Sequence, residues 1–369
     1  MFPSPEKKPS VVIAMSGGVD SSVAASLLVQ QGYQVTGMML RLWSEPGSEC
    51  DNRCCTPDAM AQARRVAAML DIPFYALDAK QIFRDTVVQA FLDGYTQGVT
   101  PNPCLVCNRQ VRWQFLMQRA LAFGADYLAT GHYVRLERNA NGHTNLLRSI
   151  DTHKDQSYVL HVLNQEQLSH ALFPLGEYTK PQIRQLAREF NLPVAERPDS
   201  QDLCFLGNGS YQDFLSRYAP QTQQPGPVLD QQGNLLGQHH GLANFTIGQR
   251  KGIRIIAPQP LYVLAKDLES NSLIVGPQDA LGSDELFAGQ VNWLDGNPPD
   301  QPLRLQVKVR YKAQDAWALV TPLGDDAAQV KFESSVRDIT PGQAAVFYQD
   351  ERCLGGGIIQ SKHPTPVGG

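Results

Sequence analysis

The sequence predicts an α/β fold in which a Rossmann-like parallel sheet is followed by a small linker domain and a C-terminal antiparallel β-barrel. Up to about residue 209, short apolar runs alternate with amphipathic helical patterns, as in a parallel sheet covered by helices. Beyond that point the patterns change to hairpins and alternating strands. A chain of 369 residues is also too long for one hydrophobic core. We therefore expect three domains, at residues 1–209, 210–283 and 284–369.

The elements of the first half follow one another as strand and helix. Val11–Met15 is the first strand, and the helix after it stops at Gly32. The next strand is "YQVTGMML", and "PDAMAQARRVAAML" predicts a second helix with Pro57 in its first turn. "PFYAL" is a third strand, followed by a helix over Asp85–Tyr95. An apolar stripe at helical spacing runs through "NRQVRWQFLMQRALAFG" and predicts a helix that ends at Gly124.

A polar loop is expected after "ATGHY", and the second half predicts hairpins and then a closed barrel. The stretches "GPVLDQQGNLLGQHHG" and "LYVLAKDLESNSLIVG" form hairpins around Gln-Gly and Ser-Asn turns. In "LRLQVKVRYK" apolar and charged residues alternate, which turns Lys308 and the other charges outward. Further barrel strands are "AWALV", "AQVKF", "QAAVFY" and "LGGGII". The glycines of the last strand, Gly355–Gly357, permit close contact between backbones.

Composition narrows the class of protein. With 42% hydrophobic and 18% charged residues the chain is globular, and no apolar run is long enough to cross a bilayer. A net charge of −4 argues against indiscriminate binding to nucleic acid, so such a partner would need a local basic surface. The start of the chain lacks an apolar signal core, so we expect a cytoplasmic location and no membrane partner. Its seven cysteines are then not a disulfide framework.

A glycine- and serine-rich turn, "SGGVDSS", lies between the first strand and the first helix. Glycines allow a backbone to approach a ligand closely, and the N–H groups of a helix N-terminus bind anions. The serines add donors, and Asp20 is a candidate ligand for a Mg²⁺ ion that bridges phosphates. No lysine follows the second glycine, so this is not the GxxxxGK[ST] nucleotide loop. The alternative interpretation is a plain strand-to-helix turn.

Three cysteines stand in predicted loops, two in "TPNPCLVCNR" and one in "SQDLCFLG". A structural metal, a redox pair and sulfur chemistry are competing explanations for Cys104, Cys107 and Cys204. Cys107 precedes Asn108, a residue that favours helix N-caps. We therefore expect the Cys107 sulfur near a helix N-terminus, which would lower the pKa of its thiol below about 8.5.

Larger segments carry a family resemblance. "SGGVDSS" resembles the loop of the ATP pyrophosphatases, or PP-loop enzymes, which cleave ATP between the α- and β-phosphates and adenylate a substrate. In order, "AMSGGVDSS", "TPNPCLVCN", "ATGHYV", "KDQSYVL", "DSQDLCF", "TIGQRKG", "TPGQAAVFY" and "CLGGGII" resemble the bacterial tRNA-specific 2-thiouridylases over essentially the whole chain. The resemblance implies a sheet of the adenine nucleotide alpha hydrolase type.

It also implies a reaction. ATP adenylates the C2 oxygen of the wobble uridine in the tRNAs for Lys, Glu and Gln, and sulfur replaces that oxygen to give 2-thiouridine, AMP and pyrophosphate. Cys204 receives a persulfide from a sulfur-donor protein, a cysteine desulfurase or a sulfur carrier, and Cys107 is the nucleophile that frees the sulfur. The ATP site implied by the resemblance comprises Ala14, Met15, Ser16, Gly17, Gly18, Val19, Asp20, Ser21, Leu40 and Gly131. The target base is assigned to Asn102, Pro103 and Cys104, and the tRNA to His132, Lys154, Asp155, Gln156, Arg310, Tyr311 and Gln343.

The chain departs from the family pattern at position 104, where many relatives carry Asp. Cys104 leaves two mechanisms open: a persulfide relay through Cys107 and Cys204, or a [4Fe–4S] cluster held by all three cysteines. Two other functions also compete, an ATP-dependent ligase or amidating enzyme acting on a small substrate and a tRNA-binding module without ATP turnover. A further cysteine group, Cys50, Cys54 and Cys55, is interpreted as incidental thiols rather than as an auxiliary metal or redox site.

Overall fold

Strands and short helices alternate throughout the protein, which a computed structural model describes at residues 8–47, 56–198, 203–207 and 209–361. The strands are β1 Ser10–Ala14, β2 Gln34–Arg41, β3 Phe74–Asp78, β4 Tyr127–Ala129, β5 Val134–Arg138, β6 Thr144–Arg148, β7 Ala171–Leu172, β8 Gly226–Leu229, β9 Leu235–His239, β10 Tyr262–Asp267, β11 Ser272–Gly276, β12 Ser283–Trp293, β13 Leu303–Lys308, β14 Ala316–Pro322, β15 Ala327–Val336, β16 Ala344–Gln349 and β17 Arg352–Ile359.

The helices include two π-helical segments. The α-helices are α1 Val19–Gln30, α2 Pro57–Met69, α3 Lys80–Phe83, α4 Gln89–Thr96, α5 Pro103–Val106, α6 Met117–Ala122, α7 Ser157–Leu160, α8 Gln165–Ser169, α9 Lys180–Glu189 and α10 Tyr211–Tyr218. The π-helical segments are Arg84–Val88 and Cys107–Leu116. Short 3₁₀ turns cover Pro220–Gln223, Leu242–Asn244 and Gln278–Ala280. In the described part of the chain, no helix combines the length and apolar character that crossing a membrane requires.

Contacts divide the chain into two units. One comprises Met1–Val87, Cys104–Asn208 and Glu351–Cys353, and the other comprises Val88–Pro103, Gly209–Asp350 and Leu354–Gly369. Cys50, Cys54 and Cys55, which were interpreted as incidental thiols, lie outside the described residues.

The first unit is built on a parallel sheet, as predicted. Its strand order is β3-β2-β1-β4-β7, and all neighbouring pairs are parallel. The central strand β1 is an apolar run in the sequence because its residues Val11, Val12 and Ile13 are almost wholly buried. On one side of β1 lie β2 and then β3, in chain order. On the other side lie β4 and then β7. The carboxyl ends of β1 and β4 therefore flank a topological switch point, where open α/β sheets bind ligands.

Local sequence explains the first two helices. α1 is buried over most of its circumference and ends before Gly32, whose φ of +86° suits a left-handed C-terminal residue. α2 begins with Pro57, and the Thr56 hydroxyl caps it by accepting the backbone N–H of Ala59 at 2.9 Å. Both predictions are confirmed, and the apolar residues of the two helices share one core with the sheet.

The helix that carries Cys107 starts earlier than predicted. It begins as α5 at Pro103, since a proline at the first helical position loses no hydrogen bond. Cys107 and Asn108 then open the π-helical segment Cys107–Leu116, a full turn inside the helix. The N-cap predicted at Asn108 is therefore wrong, and with it the argument for a helix-terminal Cys107. The apolar stripe from Trp113 onward is buried as expected.

Two strands of the first unit replace the polar loop expected after "ATGHY". β5 and β6 form an antiparallel hairpin from Val134 to Arg148, and Arg352 and Cys353 pair with β6. Polar residues at the exposed end of β5, Glu137 and Arg138, hid the strand from a hydrophobic pattern. An edge strand of this kind needs no second apolar face.

The second unit contains a small sheet and a barrel. The two predicted hairpins occur as β8–β9 and β10–β11, joined in the order β10-β11-β8-β9 around a small core. Six antiparallel strands form the barrel in the order β12-β15-β14-β13-β16-β17, and pairing of β12 with β17 closes it. A Cβ at Gly355 would overlap the carbonyl oxygen of Asn292, which confirms the close backbone contact. Lys308 was predicted to face outward but is buried, because β13 ends there and the chain turns.

Candidate functional site

The glycine- and serine-rich turn holds an open helix N-terminus. Gly17 has a φ of +72°, and a Cβ there would overlap the carbonyl oxygen of Ala59, so only glycine fits. Gly18 is the N-cap residue of α1, and no side chain bonds the first N–H groups of the helix there. These groups are therefore left for a ligand. Serine hydroxyls fix the turn: the Ser16 N–H donates to Ser21 Oγ at 3.1 Å, and Ser22 Oγ donates to the Gly18 carbonyl at 2.9 Å.

The residues assigned to ATP from the sequence lie at one edge of the sheet. Ala14 through Ser21 run continuously from the end of β1 into α1. Leu40 lies on the neighbouring strand, two residues beyond Met38, which pairs with Ala14. Gly131 follows β4, and a Cβ on it would lie 3.0 Å from the backbone nitrogen of Ser21. The structure thus brings together the whole set at the switch point.

A lysine that sequence reasoning missed reaches the same turn. Lys180 Nζ, at the start of α9, donates to both carboxylate oxygens of Asp20 at 2.7 and 2.9 Å. The Tyr133 hydroxyl donates to Asp20 Oδ1 at 2.7 Å. The Lys180 side chain is only 11% exposed, so its charge acts where water screens it weakly. A signal existed in the sequence, since "SGGVDSS" lacks the lysine that other phosphate loops carry and the cation must come from elsewhere.

The segment assigned to tRNA contact at Lys154, Asp155 and Gln156 braces this cluster. The Tyr133 N–H donates to Gln156 Oε1 at 2.9 Å, and the Gln156 N–H donates to the Tyr133 carbonyl at 3.0 Å. Asp155 is buried and accepts the Ser157 hydroxyl at 2.7 Å. Lys154 is partly exposed. The Gln156 side chain therefore holds the backbone at Tyr133, and the Asp155 side chain holds Ser157.

His132, also assigned to the tRNA, is 5% exposed and engaged at both ring nitrogens. An Arg112 guanidinium nitrogen lies 3.2 Å from its Nε2, and the Thr130 hydroxyl lies 2.7 Å from its Nδ1. A guanidinium can only donate, so Nε2 accepts and Nδ1 carries the proton. Burial, and secondarily the Arg112 charge, hold the pKa of His132 well below its usual value. The neutral ring anchors Arg112, which lies on the segment that begins at Cys107.

The three candidate cysteines differ in exposure. Cys107 is buried, Cys204 is partly exposed and Cys104 is exposed. Phe205, next to Cys204, packs edge-on against Phe83 of α3 at 6.0 Å between ring centroids. Helix α3 in turn packs against the π-helical segment that begins at Cys107. The segments that carry Cys107 and Cys204 thus share one neighbouring helix.

Two polar residues follow the buried cysteine along the chain. Asn108 is 4% exposed, and its side-chain oxygen has no hydrogen-bond partner among the described residues. Burial lowers the pKa of the Arg109 guanidinium from its ordinary value, though it stays charged at neutral pH. An amide and a cation therefore come directly after Cys107 in the helix.

The cysteines do not fit an iron–sulfur cluster. Within the described ranges, which include all three of Cys104, Cys107 and Cys204, no three His, Cys, Asp or Glu side chains are grouped to hold a metal ion. A cluster of this type needs at least three converging thiolates. Asp20 does not provide a ready site for a resident Mg²⁺ either, because Lys180 engages both of its oxygens.

The candidate residues of the second unit hold loops together. Gln343 Nε2 donates to the Thr100 carbonyl at 2.8 Å, close in sequence to Asn102 and Pro103. Arg310 donates to the Ile247 carbonyl at 2.8 Å and to the Thr340 hydroxyl. Tyr311 is partly exposed. Each unit thus carries its own set of candidates.

Family models match three consecutive stretches of the chain. A model described as a tRNA methyl transferase HUP domain matches residues 9–208. A model described as a tRNA methyl transferase PRC-barrel domain matches residues 212–277, and one described as an aminomethyltransferase β-barrel domain matches residues 283–359.

Relatives match the chain along nearly its full length. A tRNA-specific 2-thiouridylase of Magnetococcus marinus is 47% identical over 95% of this chain and 98% of its own. Another, of Heliobacterium modesticaldum, is 44% identical over 97% of each chain. Among solved structures, NMN synthetase from Francisella tularensis is 19% identical over 56% of this chain and 72% of its own, with a TM-score of 0.35. A 4-thiouridine synthetase in complex with RNA and ATP is 16% identical over 57% of this chain and 50% of its own, with a TM-score of 0.36.

Proposed function

The chain belongs to the family of tRNA-specific 2-thiouridylases, and we propose that it replaces the C2 oxygen of the wobble uridine in the tRNAs for Lys, Glu and Gln by sulfur. It is a sulfurtransferase that modifies tRNA. The observation that carries the proposal for ATP is the open N-terminus of α1 beside Asp20 and Lys180, in the same unit as Cys107 and Cys204. A tRNA substrate also supports the cytoplasmic location expected from the sequence.

ATP solves a chemical problem in this reaction. A uracil carbonyl is a poor electrophile and its oxygen a poor leaving group, whereas an adenylated oxygen leaves as AMP. We propose that the turn Ser16–Ser21 holds the β- and γ-phosphates, with charge supplied by the helix N–H groups and by Lys180. Magnesium arrives with ATP as part of the substrate. Asp20 can contact that ion once Lys180 turns from the carboxylate to the phosphates.

Sulfur arrives through a persulfide relay. A sulfur-donor protein leaves a sulfane sulfur on Cys204, and its terminal sulfur attacks C2 of the activated base and expels AMP. The base is then joined to Cys204 through a disulfide. The Cys107 thiolate attacks the Cys204 sulfur, releases 2-thiouridine and forms a Cys107–Cys204 disulfide. A cellular thiol reductant supplies the two electrons that reopen it.

Cys104 separates the relay from a cluster mechanism. A cluster needs the Cys104 thiolate as a ligand, whereas the relay uses only Cys107 and Cys204. We expect Cys104→Ala to retain thiolation in an iron-free preparation. The target base is assigned to Asn102, Pro103 and position 104, so a higher KM for tRNA is compatible with the relay, but a complete loss of product is not.

The test of the function compares Cys107→Ser with Cys353→Ala, a change at a buried cysteine of β17 that has no assigned role. Pyrophosphate release and the wobble nucleoside are measured with ATP, unmodified tRNA and persulfide. We expect Cys107→Ser to keep tRNA-dependent pyrophosphate release and to lose 2-thiouridine, while the control keeps both. An ATP-dependent ligase would be indifferent to Cys107, and a tRNA-binding module would release no pyrophosphate.

The three-domain division at residues 1–209, 210–283 and 284–369 remains part of the proposal. It is supported by the ranges of the three family models, which change near residues 210 and 280. The contacts to tRNA at His132, Lys154, Tyr311 and Gln343 are proposed for the bound state, in which these side chains or the backbone beside them face the RNA. Arg310 is proposed to act on tRNA indirectly, through the backbone that it holds at Ile247.

A further inference from the structure

Positive charge is segregated in the middle of the chain. Between residues 231 and 266 there is no Asp or Glu, although the chain as a whole has a net charge of −4. The same stretch carries Arg250, Lys251, Arg254 and Lys266. The first three fall in one loop between β9 and β10, the basic loop, which we define as Gln249–Ile256.

The basic loop presents its cations to solvent. Arg250, Lys251 and Arg254 are all exposed, and none of them pairs with a carboxylate in the part of the chain that the structure describes. The carboxylate of Asp338 lies against Gly248, next to the loop. Three exposed cations in one loop favour a polyanion as its partner.

The loop is held in one shape rather than left loose. Ile253 is 5% exposed and packs into the core of the small sheet, which anchors the middle of the loop. The side chain of Gln249 accepts the Thr246 N–H at 3.0 Å and donates to the Lys251 carbonyl at 2.8 Å. Arg254 has a φ of +59°, a conformation that non-glycine residues adopt at a cost and that clusters at binding sites.

Arg310 fixes the loop from the barrel. Its guanidinium donates to the carbonyl of Ile247, two residues before the basic loop, and to the hydroxyl of Thr340. Both bonds come from one terminal nitrogen, and the Nε of the same guanidinium is buried in the protein. Its position suits a residue that orients the basic loop better than one that binds a phosphate itself.

We propose that Arg250, Lys251 and Arg254 bind the phosphate backbone of the tRNA, and that Arg310 is a positioning residue for them. The inference rests on the proposed function in taking tRNA as the polyanion. Contacts of this kind orient the RNA and carry no sequence preference. They give the second unit an RNA surface of its own, formed by the loop between β9 and β10.

The test measures the dissociation constant for unmodified tRNA at a series of salt concentrations. In a triple variant, Arg250→Gln, Lys251→Gln and Arg254→Gln, we expect the dissociation constant at low salt to be at least tenfold higher. The slope of the logarithm of the dissociation constant against the logarithm of the salt concentration should decrease by about 2 to 3, since each phosphate contact contributes about 0.7–0.9. ATP affinity is measured alongside as the check that the first unit is folded.

A control variant changes net charge equally, through Arg64→Gln, Arg65→Gln and Lys331→Gln, which are exposed cations elsewhere. An unchanged slope in the triple variant, or an equal loss in the control, overturns the proposal. If tRNA is not the substrate at all, the unsubstituted protein releases no pyrophosphate in response to tRNA, which is a separate result.

Arg310→Gln tests the positioning role. We expect it to weaken tRNA binding in the unsubstituted protein but to add little to the triple variant, because the loop it orients then has no charge to place. A full and additive loss would mean that Arg310 binds phosphate directly and would overturn its positioning role.

Discussion

At the scale of single residues, the ion pair between Lys180 and Asp20 is the least expected feature of the site. The two residues stand far apart in the sequence, and neither pattern nor spacing predicts that they meet. Asp20 itself was predicted as a site residue from the turn that contains it. Lys180 carries no motif of its own, and a hydrophobic pattern says nothing about where a charged side chain points.

Substituting Lys180 should slow the ATP half-reaction. A hydrogen bond to a charged group is worth about 1.5–3 kcal/mol, so Lys180→Met should reduce tRNA-dependent pyrophosphate release by roughly 10- to 100-fold. Tyr133→Phe removes only the neutral donor to Asp20 and should cost less. Stopped assays of pyrophosphate at saturating tRNA measure both. Equal activity of Lys180→Met and the unsubstituted enzyme would remove Lys180 from the phosphate site.

Buried histidines make stability depend on pH. Burial lowers the pKa of His161 to about 4, and its Nδ1 donates to the Tyr158 carbonyl at 2.7 Å. The unfolded chain binds a proton near pH 6.5 and the folded chain does not, so stability falls as pH drops from about 6.5 towards 4. Each such proton contributes about 1.4 kcal/mol per pH unit.

His161→Asn keeps a donor for the Tyr158 carbonyl and removes the titrating group. Its urea midpoint should fall less steeply between pH 6.5 and 4.5 than that of the unsubstituted protein. His132 titrates in the same direction and stays present in both proteins, so the difference isolates His161. Parallel pH profiles would contradict the assignment of a neutral, buried His161.

At the scale of elements, the glycine- and serine-rich turn Ser16–Ser22 is the part that the sequence predicted best. Its strand, its glycines and the helix after it all lie where the pattern put them, because each depends on local chemistry. The start of the Cys107 helix was predicted less well. Asn108 favours a cap, but Pro103 begins the helix earlier, and the choice between the two depends on packing that no local pattern contains.

The two glycines of the turn should differ sharply. Gly17→Ala places a Cβ at positive φ against the Ala59 carbonyl, which costs about 1–2 kcal/mol for the backbone and more for the overlap. Gly18 has a φ of −95°, which alanine adopts without strain. The Cβ of Gly18→Ala would meet only the Ser16 hydroxyl, at 3.5 Å. Thermal unfolding should show a loss of several degrees for the first variant and little change for the second. Comparable losses would contradict the described turn.

At the scale of the whole molecule, fold class was predictable and the details of pairing were not. The parallel sheet, the two middle hairpins and the barrel follow from periodicity and turn residues. The strand β12 and the hairpin β5–β6 were missed, since their residues mix polar and apolar types. The roles expected for His132 and Arg310 came from resemblance alone, and only side-chain contacts reveal that both are also engaged within the protein.

The proposed sulfur relay requires the glycine- and serine-rich turn, Cys107 and Cys204 to act on one base. The most direct test is a single turnover with persulfide on Cys204, ATP and tRNA, without reductant, followed by mass spectrometry of protein and nucleosides. The account predicts one Cys107–Cys204 disulfide for each 2-thiouridine formed. Product formed in full while both cysteines remain thiols would contradict it.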